Sequence, residues 1–235
     1  MTQKTISLRA KIALYEPDIP QNTAAIIRTC SCLDVMVEII EPCGFMLNDK
    51  RFKRVVMDYL DERMIKFYKN YDVFFQTKKK EKERIVLMTT KASTSYSNFK
   101  FNVTDTILFG RESAGVPEKI HGLVDKRFKR VVMDYLDEQM IKFYKNYEEF
   151  FEIKKKNKER VILMTTKATN SYTSFNFKNN DTILFGRESA GVPEKIHKQV
   201  NSRLKIPLSF KKRSLNLSSS VAIVLAESMR QNKLF

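Results

Sequence analysis

The stretch ILFGRESAGVPEKIH occurs twice in this chain, at residues 107–121 and again at residues 183–197. The copies extend further, because residues 49–121 return as residues 125–197 at an offset of 125 − 49 = 76 residues. In each copy an apolar run typical of a buried strand ends at a glycine, and the start of a helix follows. The stretch therefore predicts a strand–turn–helix unit whose glycine lets the backbone approach a ligand closely.

The two copies indicate an in-frame duplication inside one domain. Repeat arrays keep a pattern but little identity and need about three or more stacked units. These copies match at most positions and differ mainly between residues 93–104 and 169–180. Without one copy the chain would have 235 − 76 = 159 residues, which is enough for one well-filled core.

The chain is strongly basic, with a formal net charge of +16 at pH 7. Residues 49–124 carry 16 Lys and Arg against 10 Asp and Glu, so a one-copy chain keeps +16 − 6 = +10. Such an excess favours a polyanionic partner, with nucleic acid first and an acidic membrane surface second. The alternative is a solvated lysine-rich surface without a partner.

Other classes of protein are disfavoured by composition. No apolar run approaches the ~18 residues of a transmembrane helix, and the first 17 residues do not resemble a signal peptide. Cys30, Cys32 and Cys43 are too few and too clustered for a disulfide framework, which favours a reducing cytoplasm. We expect no metal site, because the CSC pair lacks further Cys or His ligands nearby.

Alternating apolar strands and helices predict an α/β fold with a mostly parallel sheet and helices on both faces. Lys11–Tyr15 and Val35–Ile40 are predicted strands, and Asn22 is the predicted cap of the helix between them. Each copy offers a short basic helix at KRFKRVVMDYL, a weak strand at MIKFYK, a helix ending in KKK, and strong strands at R(I/V)(V/I)LMTT and DTILFG. After the second copy, RLKIPL predicts a strand and Leu217 to about Gln231 a long amphipathic helix.

Several motifs occur in a fixed order. There is no GxGxxG after the first strand and no P-loop motif, which disfavours dinucleotide and P-loop chemistry. The chain instead carries YEPDIPQNTAAIIRTC, IIEPCGF, DKRFKRVVMDY, LFGRESAGVP and IPLSFKKRSLNLSSSVAIVLAE. This series resembles the trefoil-knotted SPOUT methyltransferases, and most closely the small tRNA (cytidine/uridine-2′-O-)-methyltransferases of the wobble nucleotide. The resemblance covers the chain once one 76-residue copy is set aside.

The resemblance implies a C-terminal trefoil knot that binds S-adenosylmethionine and a homodimer that completes the active site. It also implies 2′-O-methylation of ribose in tRNA. The positions that match the family's cofactor-binding residues are Met164, Gly186, Ile206 and Ser214. The supporting positions are Asn22, Glu188, Asn216 and Ser218.

Arg28 matches the family's arginine on the first helix, and the resemblance implies that it is catalytic. A guanidinium is a poor base at its ordinary pKa, so we expect it to position ribose or phosphate and to stabilise the developing alkoxide. The alternative is a surface or helix-end charge. Asn22 is expected to act mainly as a helix cap, and His121 and His197 as structural residues at helix ends.

The duplication raises the question of which copy lines the cofactor pocket, through Gly110 or through Gly186. Only the second copy runs directly into the segment that forms the knot, so we expect one domain over residues 1–235. Its core would be residues 1–48 with 125–235, and residues 49–124 would be an insertion. In the alternative, the first copy pairs with the N-terminal residues.

Two other functions stay open at the level of sequence. One is an RNA-binding protein whose activity the duplication impairs. The other is a 2′-O-methyltransferase of the same superfamily acting on ribosomal RNA.

Overall fold

The computed structural model describes residues 9–46, 52, 62–96, 99–129, 142–187, 190–209 and 215–234. The chain divides into two compact units. The first unit comprises Met1–Val132 with Ser209–Lys212, and the second comprises Met133–Leu208 with Arg213–Phe235. Both contain parallel strands that alternate with helices, which confirms the predicted α/β class.

The first unit contains a six-stranded parallel sheet in the order β3-β2-β1-β5-β4-β6. Its strands are β1 (Lys11–Tyr15), β2 (Val37–Ile40), β3 (Ile65–Tyr68), β4 (Arg84–Thr89), β5 (Asp105–Phe109) and β6 (Lys126–Lys129). Its helices are α1 (Pro20–Leu33), α2 (Tyr71–Glu81) and α3 (Glu118–His121), with a short 3-10 helix at Glu62–Met64. All four residues of β2 are buried, as expected for a strand covered on both faces.

Helix α1 begins earlier than predicted, so the prediction that Asn22 caps it is wrong. The N-cap position is Ile19, and Pro20 opens the first turn. Proline is favoured there because its fixed φ suits the helix and its missing N–H costs no hydrogen bond. Asn22 therefore lies inside the first turn, with an exposed side chain.

The N-terminal strands pair with the first copy, which differs from the expected core. Strand β1 lies between β2 and β5, with Lys11 opposite Thr106 and Leu14 opposite Phe109. Strand β2 in turn pairs with β3. The two copies offer nearly identical strands. The N-terminal strands pair with the nearer copy because closing the shorter loop costs less entropy.

Residues at the start of the second copy form a strand where the sequence predicted a basic helix. These residues, Lys126–Lys129, form β6, which pairs in parallel with β4. Of the four, only Phe128 is buried. The Asp125 carboxylate accepts a hydrogen bond from the backbone N–H of Ile85 at 2.7 Å, which fixes the entry of this strand. Apart from Phe52, the equivalent residues 50–60 of the first copy lie outside the described part of the chain.

The second unit contains a three-stranded parallel sheet in the order β8-β7-β9. Its strands are β7 (Val161–Met164), β8 (Thr182–Phe185) and β9 (Ser202–Leu204), and its helices are α4 (Tyr147–Lys156), α5 (Glu194–His197) and α6 (Leu217–Gln231). The predicted weak strand at MIKFYK is absent from residues 142–145. Its counterpart β3 exists in the first unit because β2 lies beside it.

The long helix α6 follows the predicted boundaries and packs on the sheet of the second unit. Val224 is fully buried and belongs to a core cluster with Ile162, Met164 and Leu204. The Gln231 side chain donates to the Phe175 carbonyl at 3.0 Å and so holds the end of the helix. Residues 210–214 lie outside the described part, and the trefoil knot stays a prediction.

Candidate functional site

A cleft of about 230 Å³ opens in the second unit at the carboxyl ends of its strands. Met164 is the last residue of β7, Gly186 directly follows β8, and Ile206 lies two residues beyond β9. Loops at the carboxyl ends of parallel strands are the usual place for a ligand in an α/β sheet. The structure thus brings three of the four predicted cofactor-binding residues together.

The turn after β8 is held by two glycines in close contact. Arg187 and Gly191 exchange backbone hydrogen bonds of 3.1 and 2.8 Å, and Gly191 has a φ of +66°. A Cβ added to Gly186 would lie 2.5 Å from the carbonyl carbon of Gly191. Only glycine fits there without a shift of the turn, which leaves backbone bordering the cleft.

Described residues around the start of α6 also line the cleft. Leu215, Leu217 and Ser220 line it, and Asn216 caps α6 by accepting from the backbone N–H groups of Ser218 and Ser219 at 2.9 and 3.3 Å. Ser218 itself is exposed. Asn216 therefore stabilises the helix start that borders the cleft.

The lining suits a flat, mostly apolar ligand with polar edges. Its apolar members include Leu163, Met164, Phe185, Val192, Ile206 and Leu208. Of the described lining residues, Arg187 alone carries a charged side chain. Apolar walls with exposed backbone near Gly186 can hold an adenine ring and hydrogen-bond its edges, so the residues present fit the nucleoside part of S-adenosylmethionine.

The first unit has a counterpart cleft of about 330 Å³, lined by Met88 and Gly110 among others. Its glycine turn is held by a neighbouring loop. Asp18 accepts hydrogen bonds from the backbone N–H groups of Glu112 and Ser113 at 3.2 and 3.4 Å. The Asp18 pKa is lowered, first by a hydrogen bond with the Glu112 side chain, then by the Ser113 hydroxyl and these backbone bonds. The two clefts share a sequence but differ in their surroundings.

Arg28 lies in the middle of α1 in the first unit and is partly buried. The cleft with Met164, Gly186 and Ile206 belongs to the second unit. The predicted residues Ser214 and Glu188 lie outside the described part of the chain. The roles assigned to all of these residues stay predictions.

The two histidines are buried at the ends of short helices. His121 ends α3 with 4% of its surface exposed, and His197 ends α5 with 6%. His121 also lines the cleft of the first unit.

Several lining residues escaped the sequence analysis, including Thr165, Val192, Leu208, Leu215 and Ser220. Thr165 and Val192 directly follow Met164 and Gly191, and Leu208 lies two residues after Ile206, so for these three the signal was their nearness to the motif residues. Their side-chain directions depend on the loops and were not readable from a pattern of apolar residues.

The described residues contain no group of three or more His, Cys, Asp or Glu side chains placed to bind a metal ion. In the same part of the chain, every helix is too short or too polar to cross a bilayer. The three cysteines are free, and burial raises the pKa of the Cys30 thiol to about 12.

Comparison with known proteins gives matches to each copy. The model of the SpoU rRNA methylase family matches residues 9–129 and residues 120–226. A tRNA (cytidine(34)-2′-O)-methyltransferase of Beijerinckia indica is 46% identical over 116 residues, which cover 49% of this chain and 72% of the relative. The enzyme of the same name from Ancylobacter novellus is 43% identical over 116 residues, covering 49% and 73%.

A solved structure described as "Structural insights into the 2-OH methylation of C/U34 on tRNA" aligns with a TM-score of 0.49 and 25% identity, over 54% of this chain and 78% of that chain. The family matches together span residues 9–226, most of the sequence, and they confirm the resemblance that the ordered motifs indicated. The chain belongs to the SpoU rRNA methylase family.

Proposed function

We propose that this protein transfers a methyl group from S-adenosylmethionine to the ribose 2′-hydroxyl of the wobble nucleotide in tRNA. The observation that carries the proposal is the cleft of the second unit, where Met164, Gly186 and Ile206 meet at the carboxyl ends of three parallel strands. The names of the relatives at 46% and 43% identity supply the substrate and the position. Those names favour tRNA over ribosomal RNA.

The cofactor binds in the second unit, and one molecule binds per chain. S-adenosylmethionine supplies a sulfonium methyl group when bound. Phe185 and Leu217 line the cleft and would exclude water from the apolar part of the cofactor, while the backbone at Gly186 and Ile206 would hydrogen-bond the edges of its base. The counterpart cleft lacks the residues after β9, so we expect no second cofactor there.

Electrostatic attraction contributes to tRNA binding before shape complementarity does. The chain carries +16, and about +10 belongs to a one-copy chain. Lysine and arginine attract the phosphates of tRNA and make binding weaken as salt rises. We expect binding to tRNA to fall steeply with ionic strength.

Arg28 positions the reacting ribose. A guanidinium donates hydrogen bonds in a fixed fork, which suits a phosphate or a developing alkoxide. Proton loss from the 2′-hydroxyl must be assisted by a group with a pKa near the working pH, and a guanidinium does not meet that condition. We propose that the active enzyme is a homodimer and works in the cytoplasm, and the three free cysteines suit a reducing compartment.

Cofactor binding is tested by isothermal titration calorimetry with S-adenosylmethionine. We expect one site per chain. The matched variants are Gly186→Ala and Gly110→Ala, because the added Cβ would meet the opposite glycine at 2.5 and 2.4 Å. Loss of binding in Gly186→Ala with binding kept in Gly110→Ala supports the assignment, and two sites per chain contradicts it.

The reaction is tested by incubating the purified chain with unmodified tRNA and labelled cofactor. Mapping of ribose methylation should place the label on nucleotide 34. Label on ribosomal RNA and none on tRNA would contradict the proposed substrate, and cofactor binding without transfer to any RNA would contradict the proposed activity.

A further inference from the structure

Strand β8 leaves one edge of the second sheet without a neighbouring strand among the described residues. In the first unit the equivalent strand β5 lies between β4 and β1. Leu108 of β5 is fully buried, whereas its counterpart Leu184 is partly exposed. The residues DTILFG are identical in the two copies, so β8 presents the same backbone edge that β5 uses to bind β1.

In the first unit, a network of charged side chains joins β5 and its neighbouring elements to the N-terminal strands. Lys78, with 1% of its side chain exposed, pairs with Glu38 of β2 at 2.6 Å and with Glu83 at 2.7 Å. Lys11 of β1 pairs with Glu83 as well, and Thr106 of β5 donates to the same carboxylate at 3.2 Å. The N-terminal segment, which we define as residues 9–46, thus contributes one cation and one carboxylate to this network.

The second unit repeats half of that network. Lys154 pairs with Glu159 at 2.6 Å, and Thr182 donates to Glu159 at 2.9 Å. These residues are the counterparts of Lys78, Glu83 and Thr106, and the side chain of Lys154 is 14% exposed against 1% for Lys78. The counterparts of Lys11 and Glu38 are missing, because the N-terminal segment occurs once in the chain.

The glycine turn repeats the same contrast. In the first unit Arg111 pairs with Glu16 and Asp18 of the N-terminal segment at 3.3 and 3.5 Å. Its counterpart Arg187 is exposed. Arg187 and Gly191 exchange the same pair of backbone hydrogen bonds as Arg111 and Gly115.

We propose that the edge of β8, with Lys154, Glu159 and Arg187 beside it, binds the N-terminal segment of a second copy of this chain. Strand β1 of that copy adds in parallel to β8, with its Lys11 opposite Thr182. Lys11 then meets Glu159, and Glu38 meets Lys154. The acidic pair Glu16 and Asp18 meets Arg187, so every charge of this surface finds its opposite.

In the structure each chain's N-terminal segment covers its own β5, so a segment that binds β8 of another chain leaves its own β5. Exchange of an identical element between two chains is a low-cost route to association, since the contacts that break are made again. Each transfer covers one β8 and uncovers one β5. The exchanged species should therefore increase with protein concentration.

The test uses full-length chains that lack the partly exposed thiol, through Cys43→Ser. One chain carries Lys11→Cys, and a second chain with a size tag carries Thr182→Cys. After mixing and mild oxidation, we expect a disulfide between the two kinds of chain, read by non-reducing electrophoresis. The reference is a single chain with Lys11→Cys and Thr106→Cys, whose residues are opposite each other in the observed sheet and should cross-link within the chain.

Two matched substitutions distinguish a specific contact from random collision between the two chains. Arg111→Ala weakens the hold of β5 on the N-terminal segment and should raise the yield of the mixed disulfide several-fold. Arg187→Ala weakens the β8 surface and should lower it by a similar factor. Equal yields in both variants overturn the proposal.

Three further results would also overturn it. One is a reference cross-link without any mixed product. Another is a product that joins two Thr182→Cys chains, which means that β8 pairs with β8. The third is a disulfide formed only within one chain that carries both Lys11→Cys and Thr182→Cys, which makes the chain's own segment the occupant.

Discussion

Lys78 and Lys154 occupy the same place in the two copies, yet their surroundings differ. Lys78 pairs with two carboxylates, Glu38 of β2 and Glu83 directly before β4, whereas Lys154 pairs with Glu159 alone among the described residues. Burial raises the pKa of Glu83, but the hydrogen bonds from Lys11 and Lys78 outweigh it and lower the pKa overall. An identical residue thus has a different energetic role in each unit.

We predict that Lys78→Met destabilises the protein by about 3–5 kcal/mol, because it leaves Glu38 buried without its cation. Lys154→Met should cost about 1 kcal/mol or less, because Glu159 remains closer to solvent. Urea denaturation followed by circular dichroism measures both free energies of unfolding. Equal losses would contradict the role of the buried pair.

Arg28→Ala should remove most methyl transfer while the affinity for S-adenosylmethionine stays unchanged, because Arg28 is proposed to act on the ribose and not on the cofactor. Arg28→Lys keeps the charge but not the fork of donors, so it should recover only part of the rate. Initial rates with saturating tRNA and calorimetric titration of the cofactor give the two readouts. Full activity in Arg28→Ala would refute the assignment.

Protonation of Glu159 makes the stability of the protein depend on pH. Its hydrogen bond from Lys154, with those from Asn157 and Thr182, lowers its pKa from 4.5 to about 2. A lowered pKa in the folded state stabilises the protein above pH 4.5, and this stabilisation is lost as the pH falls from 4.5 towards about 2. Glu159→Gln should be less stable than the parent at pH 6 and equally stable near pH 2, as measured by thermal unfolding across that range. A constant difference over the range would contradict this reading.

At the scale of elements, local patterns predicted most of the boundaries. Strand β1 and helix α6 follow the predicted residues, because apolar residues recur with the period of each element. Helix α1 starts two residues before Asn22, since Pro20 opens it. The wrong prediction at Lys126–Lys129 has a tertiary cause, because the free edge of β4 recruits these residues as a strand.

Asn216 should stabilise α6 by about 1 kcal/mol through its cap of two backbone N–H groups. We expect Asn216→Ala to lower the free energy of unfolding by that amount and to weaken cofactor binding, because the helix start borders the cleft. Ser218→Ala removes an exposed hydroxyl next to it and serves as the control. If the two variants lose the same stability, the cap is not the cause.

At the scale of the whole molecule, the sequence predicted the fold class, the family and the meeting of Met164, Gly186 and Ile206. Local preference could not predict the partner of the N-terminal strands, because DTILFG is the same in both copies, and only the shorter loop to the first copy distinguishes them. Leu215 and Ser220 could not be assigned to the cleft, because their positions depend on the chain after β9.

Deletion of residues 49–124 should preserve methyl transfer and leave one cofactor per chain. The deletion joins Asn48 to Asp125 and leaves 159 residues with one copy of every motif, so the N-terminal strands have only β8 to bind. Methylation assays and calorimetry of the shortened chain test this. Loss of both activities in a folded chain would mean that the first copy is required.

Strand β6 explains how the first sheet stays complete although the chain is duplicated. Asp125 and Asn201 lie four residues after His121 and His197. Asp125 accepts a hydrogen bond from the backbone N–H of Ile85, the second residue of β4, and Asn201 accepts one from Val161, the first residue of β7. The residues after Asp125 and those after Asn201 differ in sequence, yet they form β6 and β9, each the edge strand of its sheet. The incoming copy therefore repairs the sheet that it interrupts, and a gene can acquire such an insertion in a single event without first evolving a new terminus for the interrupted domain.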